Sequence, residues 1–535
     1  WDISNYCIHI SKNMIIFVTD MKNYFLAILS GILFSISWPI DGIVFFIFFA
    51  FVPLFIICEN FILNEKKSVW NFLFVTYLSF LVFNLITTYW VYYASPFGAI
   101  FAFLINSLLM SLVMLLFYYS RKNLTKRLAY TSLIVFWLSF EYLHLNWDLS
   151  WPWLTLGNVF SESLYLINWY EYTGVLGGSF WVLFLNILFF EFYKKRNLTK
   201  IYPIFLALFL PIFISLFLQE KDPDKSSGSL DVVVVQPNID PYFEKFSIDH
   251  QQQLKDFISL AKTKIDSNTI LLIGPETALQ ESIWESKVEY AESIIELKKL
   301  QLDYPKLNIL VGATTYKLFD DNEKKSSTAR QFRKEDLWYD IYNSAIYISK
   351  NGDVSIYHKT KLVPGAEKIP FPSLFNSFSA LSVDLGGVSG SLGSENYIES
   401  FDVSGFNLLP LICYESVYGD LNSQKLFDII CVITNDGWWK NTSGYKQHFS
   451  YSKLRAIEQG KSIIRCANTG ISGFISANGV VSNIADWDEQ KVVKSQVATY
   501  NTVTFYNKFG DYLGRISSFI SSLFLFMIFV KSKIQ

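Results

Sequence analysis

The 535-residue chain is 51% hydrophobic and 18% aromatic, with 17% charged residues and a formal net charge of −2. It is too apolar for an ordinary soluble enzyme and too polar for a chain that is membrane throughout, so two regimes are joined in one sequence. The near-neutral balance argues against nucleic acid as a partner, and the five cysteines, none spaced C-x-x-C, point to neither a zinc site nor a disulfide framework.

Residues 1–20 precede Met21, the more natural start, and are read as an N-terminal extension outside the fold. Apolar stretches at about 24–40, 43–58, 70–93, 97–119, 128–147, 174–193 and 201–218 predict seven membrane spans, and one at about 512–530 predicts an eighth. The second is short and is interrupted by Pro53. Lys66 and Lys67, then Arg121, Lys122, Lys126 and Arg127, then Lys194, Lys195, Arg196 and Lys200 fall in alternate loops, and the intervening loops carry no Lys or Arg. The positive-inside rule therefore places the N-terminus and the basic loops in the cytoplasm, residue 219 onward outside, and Lys531 and Lys533 back in the cytoplasm.

The expected organisation is a bundle of seven helices over 21–220, a polar linker over 221–230, an α/β domain over 231–505, and a C-terminal helix and tail over 506–535. Within 231–505, β-branched runs such as "DVVVVQPNI", "NTILLIG", "LNILVGATTY", "DIYNSAIYIS" and "DIICVIT" alternate with helical segments at about 250–265, 284–300 and 445–460. Residues 317–338 read as a charged excursion, and 371–400, rich in Ser, Gly and Phe, as either a surface loop or a lid over a lipid site.

A cysteine nucleophile needs a base for its proton and a donor for the developing oxyanion. Three strand ends supply such groups: Glu276 after "LLIGP", Lys359 after "VSIYH" and Cys413 after "LLPLI". Strand ends converge on one sheet edge, where α/β folds place their sites. Of the outer cysteines, Cys431 and Cys466 read as buried strand interiors, while Cys413 alone stands at a strand-to-turn junction before a tyrosine and an acid.

The motifs "GPETA", "HKTKLVPGAE" and "ICYES", in this order, resemble the Glu-Lys-Cys carbon–nitrogen hydrolase (nitrilase) superfamily, whose fold is an αββα sandwich. With a helical transmembrane bundle of about eight spans, the whole chain is similar to the bacterial apolipoprotein N-acyltransferase family. "VVQPNIDPYFEKF", "TNDGWW", the run 447–473 and "WPWL" at 151–154 agree. The resemblance implies Glu276 as base, Cys413 as nucleophile and Lys359 as oxyanion cation, with Glu367, Tyr414 and Glu415 in support. It implies substrate contacts at Phe246 and Trp438, with Trp151 and Trp153 read as an interfacial belt or the lining of a lipid entrance.

It further implies acyl transfer from a phospholipid, through a thioester, to the amine of a diacylated apolipoprotein. Neither metal nor organic cofactor is expected. The expected setting is the bacterial inner membrane, with a periplasmic catalytic domain, cytoplasmic termini and a monomeric chain. A membrane-anchored amidase of the same superfamily is the alternative. The sequence departs from the family at Gly365-Ala366 before Glu367, and Phe246 is one residue out of register with the family's tryptophan.

Overall fold

The computed structural model describes residues 21–64, 68–219, 226–245, 247–320, 322–332, 337–371, 391–421 and 426–534. Phe246, Lys66, Lys67, residues 1–20, half of the linker and the greater part of the 371–400 insertion lie outside the described residues.

The bundle comprises α1 (Met21–Ser37), α2 (Val44–Leu63), α3 (Val69–Thr88), α4 (Pro96–Asn123), α5 (Lys126–Leu145), α6 (Tyr170–Lys195) and α7 (Ile201–Gln219). The α/β domain adds α8 (His250–Lys262), α9 (Glu292–Asp303) and α10 (Ser443–Gln459), and the chain closes with α11 (Tyr512–Ile534). Among the described residues seven of these, α2 to α7 and α11, are long and apolar enough to cross a bilayer, which makes the chain a membrane protein. Met21–Ser37 is apolar but shorter, so the expected eight spans are seven full-length helices and one shorter one. Helix starts follow local chemistry: α4 begins with Pro96 behind Ser95, whose hydroxyl accepts the Gly98 N–H at 3.0 Å.

The α/β domain has two sheets. The first contains β1 (Gly228–Gln236), β2 (Leu271–Ile273), β3 (Leu279–Trp284), β4 (Asn308–Leu318), β5 (Arg330–Gln331), β6 (Trp338–Ile348) and β7 (Val354–His358). The second contains β8 (Phe401–Val403), β9 (Phe406–Ile412), β10 (Ile429–Thr434), β11 (Ser462–Ala467), β12 (Ser472–Ile475) and β13 (Val481–Ala485). Strand β14 (Lys491–Thr499) returns to pair with β1, giving the orders β14-β1-β2-β4-β6-β5 and β13-β12-β11-β10-β9-β8, with β7 on β6 and β3 on β4.

The inner faces meet in one apolar core, Val232, Val234 and Ile273 of the first sheet against Leu409, Leu411, Cys431 and Ile464 of the second. Helices α8 and α9 cover the first sheet through Leu254, Phe257, Ile294 and Leu297. The segment expected to be one helix over 284–300 is instead the end of β3, a 3-10 turn at Glu285–Tyr290, and α9.

Helix α10 covers the second sheet and is itself covered by the bundle, so nearly all of it is buried although its sequence is largely polar. Its Tyr451, Leu454 and Ile457, with Tyr414, Val417 and Tyr418, belong to the same buried cluster as Phe51, Trp137 and Trp181 of the bundle. Gln447 satisfies this contact: its Oε1 accepts the Trp90 and Trp153 indole N–H groups at 3.2 and 3.0 Å, and its Nε2 donates to Pro39 O and Thr87 O at 3.1 and 3.3 Å. A buried amide with every group paired makes a docking contact specific as well as tight.

Candidate active site

Strand β2 ends three residues before Glu276, β7 ends immediately before Lys359, and β9 ends immediately before Cys413. Strand β4 is parallel to β2, β6 antiparallel to β4, and β7 antiparallel to β6, so β2 and β7 point the same way. Cys413 comes from the other sheet. The site therefore lies between the ends of two packed sheets, rather than along the edge of one as the sequence alone indicated.

Lys359 is 1% exposed, with Nζ 2.9 Å from Glu367 Oε1 and 3.4 Å from Glu276 Oε1. Burial alone would lower its pKa, but the Glu367 and Glu276 carboxylates overrule that and hold it above the ordinary lysine value. Asn343 Nδ2, in the middle of β6, donates to Glu276 Oε1 at 2.8 Å and to Glu367 Oε1 at 2.9 Å. The Asn435 N–H donates to Glu276 Oε2 at 3.0 Å. The Glu276 carboxylate is thus gripped from both oxygens.

Glu367 is aimed by a tight turn. Its backbone N–H donates to Val363 O at 2.9 Å, and its Oε2 accepts the Val363 N–H at 2.8 Å. Gly365 has a φ of 82° in this turn, a left-handed conformation that a side chain would strain. Lys368 Nζ then contacts Asp148 Oδ1 at 2.6 Å, and the Phe371 N–H contacts Asp148 Oδ2 at 3.1 Å, tying this loop to the one after α5.

Cys413 opens the 3-10 turn Cys413–Val417 with a φ of 51°. A left-handed cysteine is strained by roughly 1–2 kcal/mol and persists because its surroundings over-determine it. Its carbonyl oxygen accepts the Ser416 hydroxyl at 2.7 Å and lies 3.1 Å from His448 Nε2. His448 Nδ1 is 2.8 Å from Asp436 Oδ1, and the Arg465 guanidinium donates to Asp436 Oδ2 at 2.7 Å. Burial would raise Asp436, but Arg465 and His448 hold it at about 2. Burial pushes the Cys413 thiol well above the ordinary cysteine value, and Glu276 pushes it further while Lys359 opposes. A thiol so placed would need a base before it could act as a nucleophile.

Glu415 stands in the same 3-10 turn as Cys413. Its carboxylate turns away to accept the Ile412 N–H, the Tyr357 hydroxyl, the Thr360 N–H and hydroxyl, and the Lys361 N–H. It clamps the end of β9 to the loop after β7, and so fixes Cys413 relative to Lys359. The Tyr414 hydroxyl donates to Ser150 O at 2.7 Å, and its amide stands in the first turn of the 3-10 segment, where N–H groups lack intrahelical partners.

The aromatic expectations divide. Trp153 is 1% exposed, stacked 6.4 Å from the Tyr414 ring, so it is neither a belt residue nor an exposed lipid contact. Trp151 is partly buried beside Trp153 and lines an internal cavity with Asn106, Glu141 and His144. Helix α10 docks on Trp153 through Gln447 and Tyr451, which removes Trp153 from the interface. Trp438 is half-buried, edge-on to Tyr242 at 5.4 Å beside the exposed Phe243. Cys431 and Cys466 are fully buried free thiols.

Asn343, Asn435 and the His448–Asp436–Arg465 group were not singled out from sequence. For Asn343 the available signal was a polar residue inside the apolar run "DIYNSAIYIS"; the other four lie in "TNDGWW" and the run 447–473.

The carbon-nitrogen hydrolase family profile matches residues 232–503, and that of the apolipoprotein N-acyltransferase N-terminal domain matches 30–188. Apolipoprotein N-acyltransferase of Chlorobaculum tepidum is 27% identical, covering 96% of this chain and 97% of its own. The protein of that name from Thermotoga maritima is 25% identical, covering 95% and 94%. Apolipoprotein N-acyltransferase 1 of Treponema denticola is 26% identical, covering 98% and 99%. The chain thus belongs to the carbon-nitrogen hydrolase family, in the form that joins its hydrolase domain to an apolipoprotein N-acyltransferase N-terminal domain.

Proposed function

We propose that this enzyme moves an acyl chain from a phospholipid to the α-amine of an apolipoprotein's N-terminal diacylglyceryl-cysteine, the last step of lipoprotein maturation. One observation carries the reading. A buried thiol at a strained turn faces Glu276 and Lys359, in a domain whose reactive loop packs into the core of a membrane bundle.

Glu276 takes the Cys413 proton as sulfur attacks the phospholipid ester carbonyl. Lys359 Nζ and the Tyr414 N–H stabilise the oxyanion. The intermediate collapses to a thioester, and the departing lysophospholipid alkoxide takes the proton from Glu276. The acceptor amine then attacks the thioester and gives its proton to Glu276. Collapse releases the N-acylated lipoprotein and a thiolate, which recovers that proton. Glu367 and Asn343 keep the carboxylate and the ammonium in register throughout. Trp438 borders the route of the lipid chains.

For orientation, Glu59 pairs with Arg121 and Lys194, and Glu191 with Lys126, all at helix ends facing away from the docked domain. This supports a periplasmic α/β domain in the bacterial inner membrane with both termini in the cytoplasm.

The test is purified full-length chain incubated with phospholipid and followed by intact mass. Wild type should accumulate one acyl adduct that a diacylated lipopeptide discharges, and Cys413→Ala should form none. An adduct on Cys413→Ala, or release of the acyl group only as free acid, sinks the reading. A phosphatase fusion after Asp240 should be active, and an inactive one overturns the orientation.

A further inference from the structure

A buried ammonium that lacks a carboxylate partner is costly in a protein interior. Lys245 is such a group. It lies between β1 and α8, is 6% exposed, and makes no ion pair to a carboxylate among the described residues. Its Nζ donates to the Thr277 hydroxyl. Thr277 directly follows Glu276 and has a φ of 48°, a conformation that a β-branched residue adopts only when held.

Lys245 and Thr277 line a cavity together with Gln253 and Asn468. Asn468 Nδ2 donates in turn to Asn435 Oδ1 at 3.2 Å, and the Asn435 N–H is the group that grips Glu276 Oε2. The cavity therefore lies directly behind the carboxylate. The charges around it are Glu276 and Cys413, which act on Lys245, with Lys359 and Glu367 paired beyond them and Asp436 paired to Arg465. Glu276 and Glu367 are two negative charges against the single positive charge of Lys359. Lys245 restores neutrality.

We propose that Lys245 is the second cation of the thiol site, a positioning residue that holds the Thr277 turn under Glu276 and offsets the negative charge that develops on Cys413. The inference concerns the sulfur alone and stands apart from the identity of the acyl donor and acceptor. Burial lowers Lys245 to about 8, with Glu276 and Cys413 opposing, so the cation is present at neutral pH and is lost as pH rises through that value.

The experiment is iodoacetamide alkylation of the full-length chain in detergent, counted by intact mass, over about pH 6 to 10, where the rate follows the thiolate fraction. Cys413→Ala supplies the background from the other thiols. In wild type the logarithm of the rate should climb steadily, lose slope for about one pH unit near 8 as Lys245 discharges, and then resume its climb.

Lys245→Met should react about tenfold more slowly at neutral pH, the equivalent of one pKa unit in the thiol, and show no break. Lys245→Arg should keep the wild-type neutral rate and also lose the break, because a guanidinium stays charged. Three results would overturn the proposal: a wild-type profile without a break, a break that survives in Lys245→Met, or equal slowing in the Met and Arg variants. The wild-type profile decides the matter by itself should either variant fail to fold.

Discussion

The Asn343 carboxamide lies 2.8 Å from Glu276 Oε1, and the same nitrogen reaches Glu367, so one neutral donor bridges two carboxylates that would otherwise repel. Lys359 reaches both carboxylates too, but its contact to Glu276 is the longer one, 3.4 Å against 2.9 Å to Glu367. Asn343→Ala should lower kcat about 10- to 100-fold, the loss expected for hydrogen bonds to charged groups, with KM little changed. Asn343→Asp should be worse, because a third carboxylate enters the cluster. Steady-state kinetics with a labelled phospholipid decide it, and a change confined to KM counts against the assignment.

Glu415 accepts from Ile412, Tyr357, Thr360 and Lys361, and burial raises its pKa in spite of those bonds. Glu415→Gln turns an NH2 toward donors and should destabilise the α/β domain by about 2–3 kcal/mol, visible as a lowered Tm. Activity should fall with it, because Cys413 and Lys359 lose their common anchor. Unchanged Tm with lost turnover would instead return Glu415 to the chemistry.

These two residues mark what the sequence made legible. Glu276, Lys359 and Cys413 could be singled out because each follows an apolar strand and falls in a local motif. The bundle was readable because span length and loop charge are local properties. Asn343 was hidden because a polar residue in a strand gains meaning only from what the neighbouring strands bring opposite it. Glu415 was visible as a supporting residue, but its clamp was not, since the loop that it holds is 55 residues away in sequence. Trp153 looked interfacial because it follows a membrane helix, and only the docking of α10, nearly 300 residues later, buries it.

Burial and the Glu276 charge raise the Cys413 thiol, so less thiolate is present at any given pH than in a free cysteine. Without substrate, alkylation at neutral pH should be slower than that of a model cysteine peptide, and the rate should still be rising where the peptide has levelled off near 9, the ordinary thiol value. A plateau below that value would mean a resting thiolate. Glu276 would then have no proton to remove in the first step.

The loop that presents Glu367 is held at its far end by Asp148, which contacts Lys368 Nζ at 2.6 Å and the Phe371 N–H at 3.1 Å. Both charged side chains are partly exposed, at 31% and 40%, so the ion pair itself is worth at most about 1 kcal/mol. Its effect is on register: the anchor lies after α5, close to Ser150, which receives Tyr414, so one short loop fixes both Glu367 and the residue next to the nucleophile. Asp148→Ala and Lys368→Ala should each lower kcat about 3- to 5-fold with Tm nearly unchanged, and the double variant should be no worse than either, the signature of a coupled pair. Fully additive losses would mean that the two residues act separately, and that the Gly365 turn alone sets the position of Glu367.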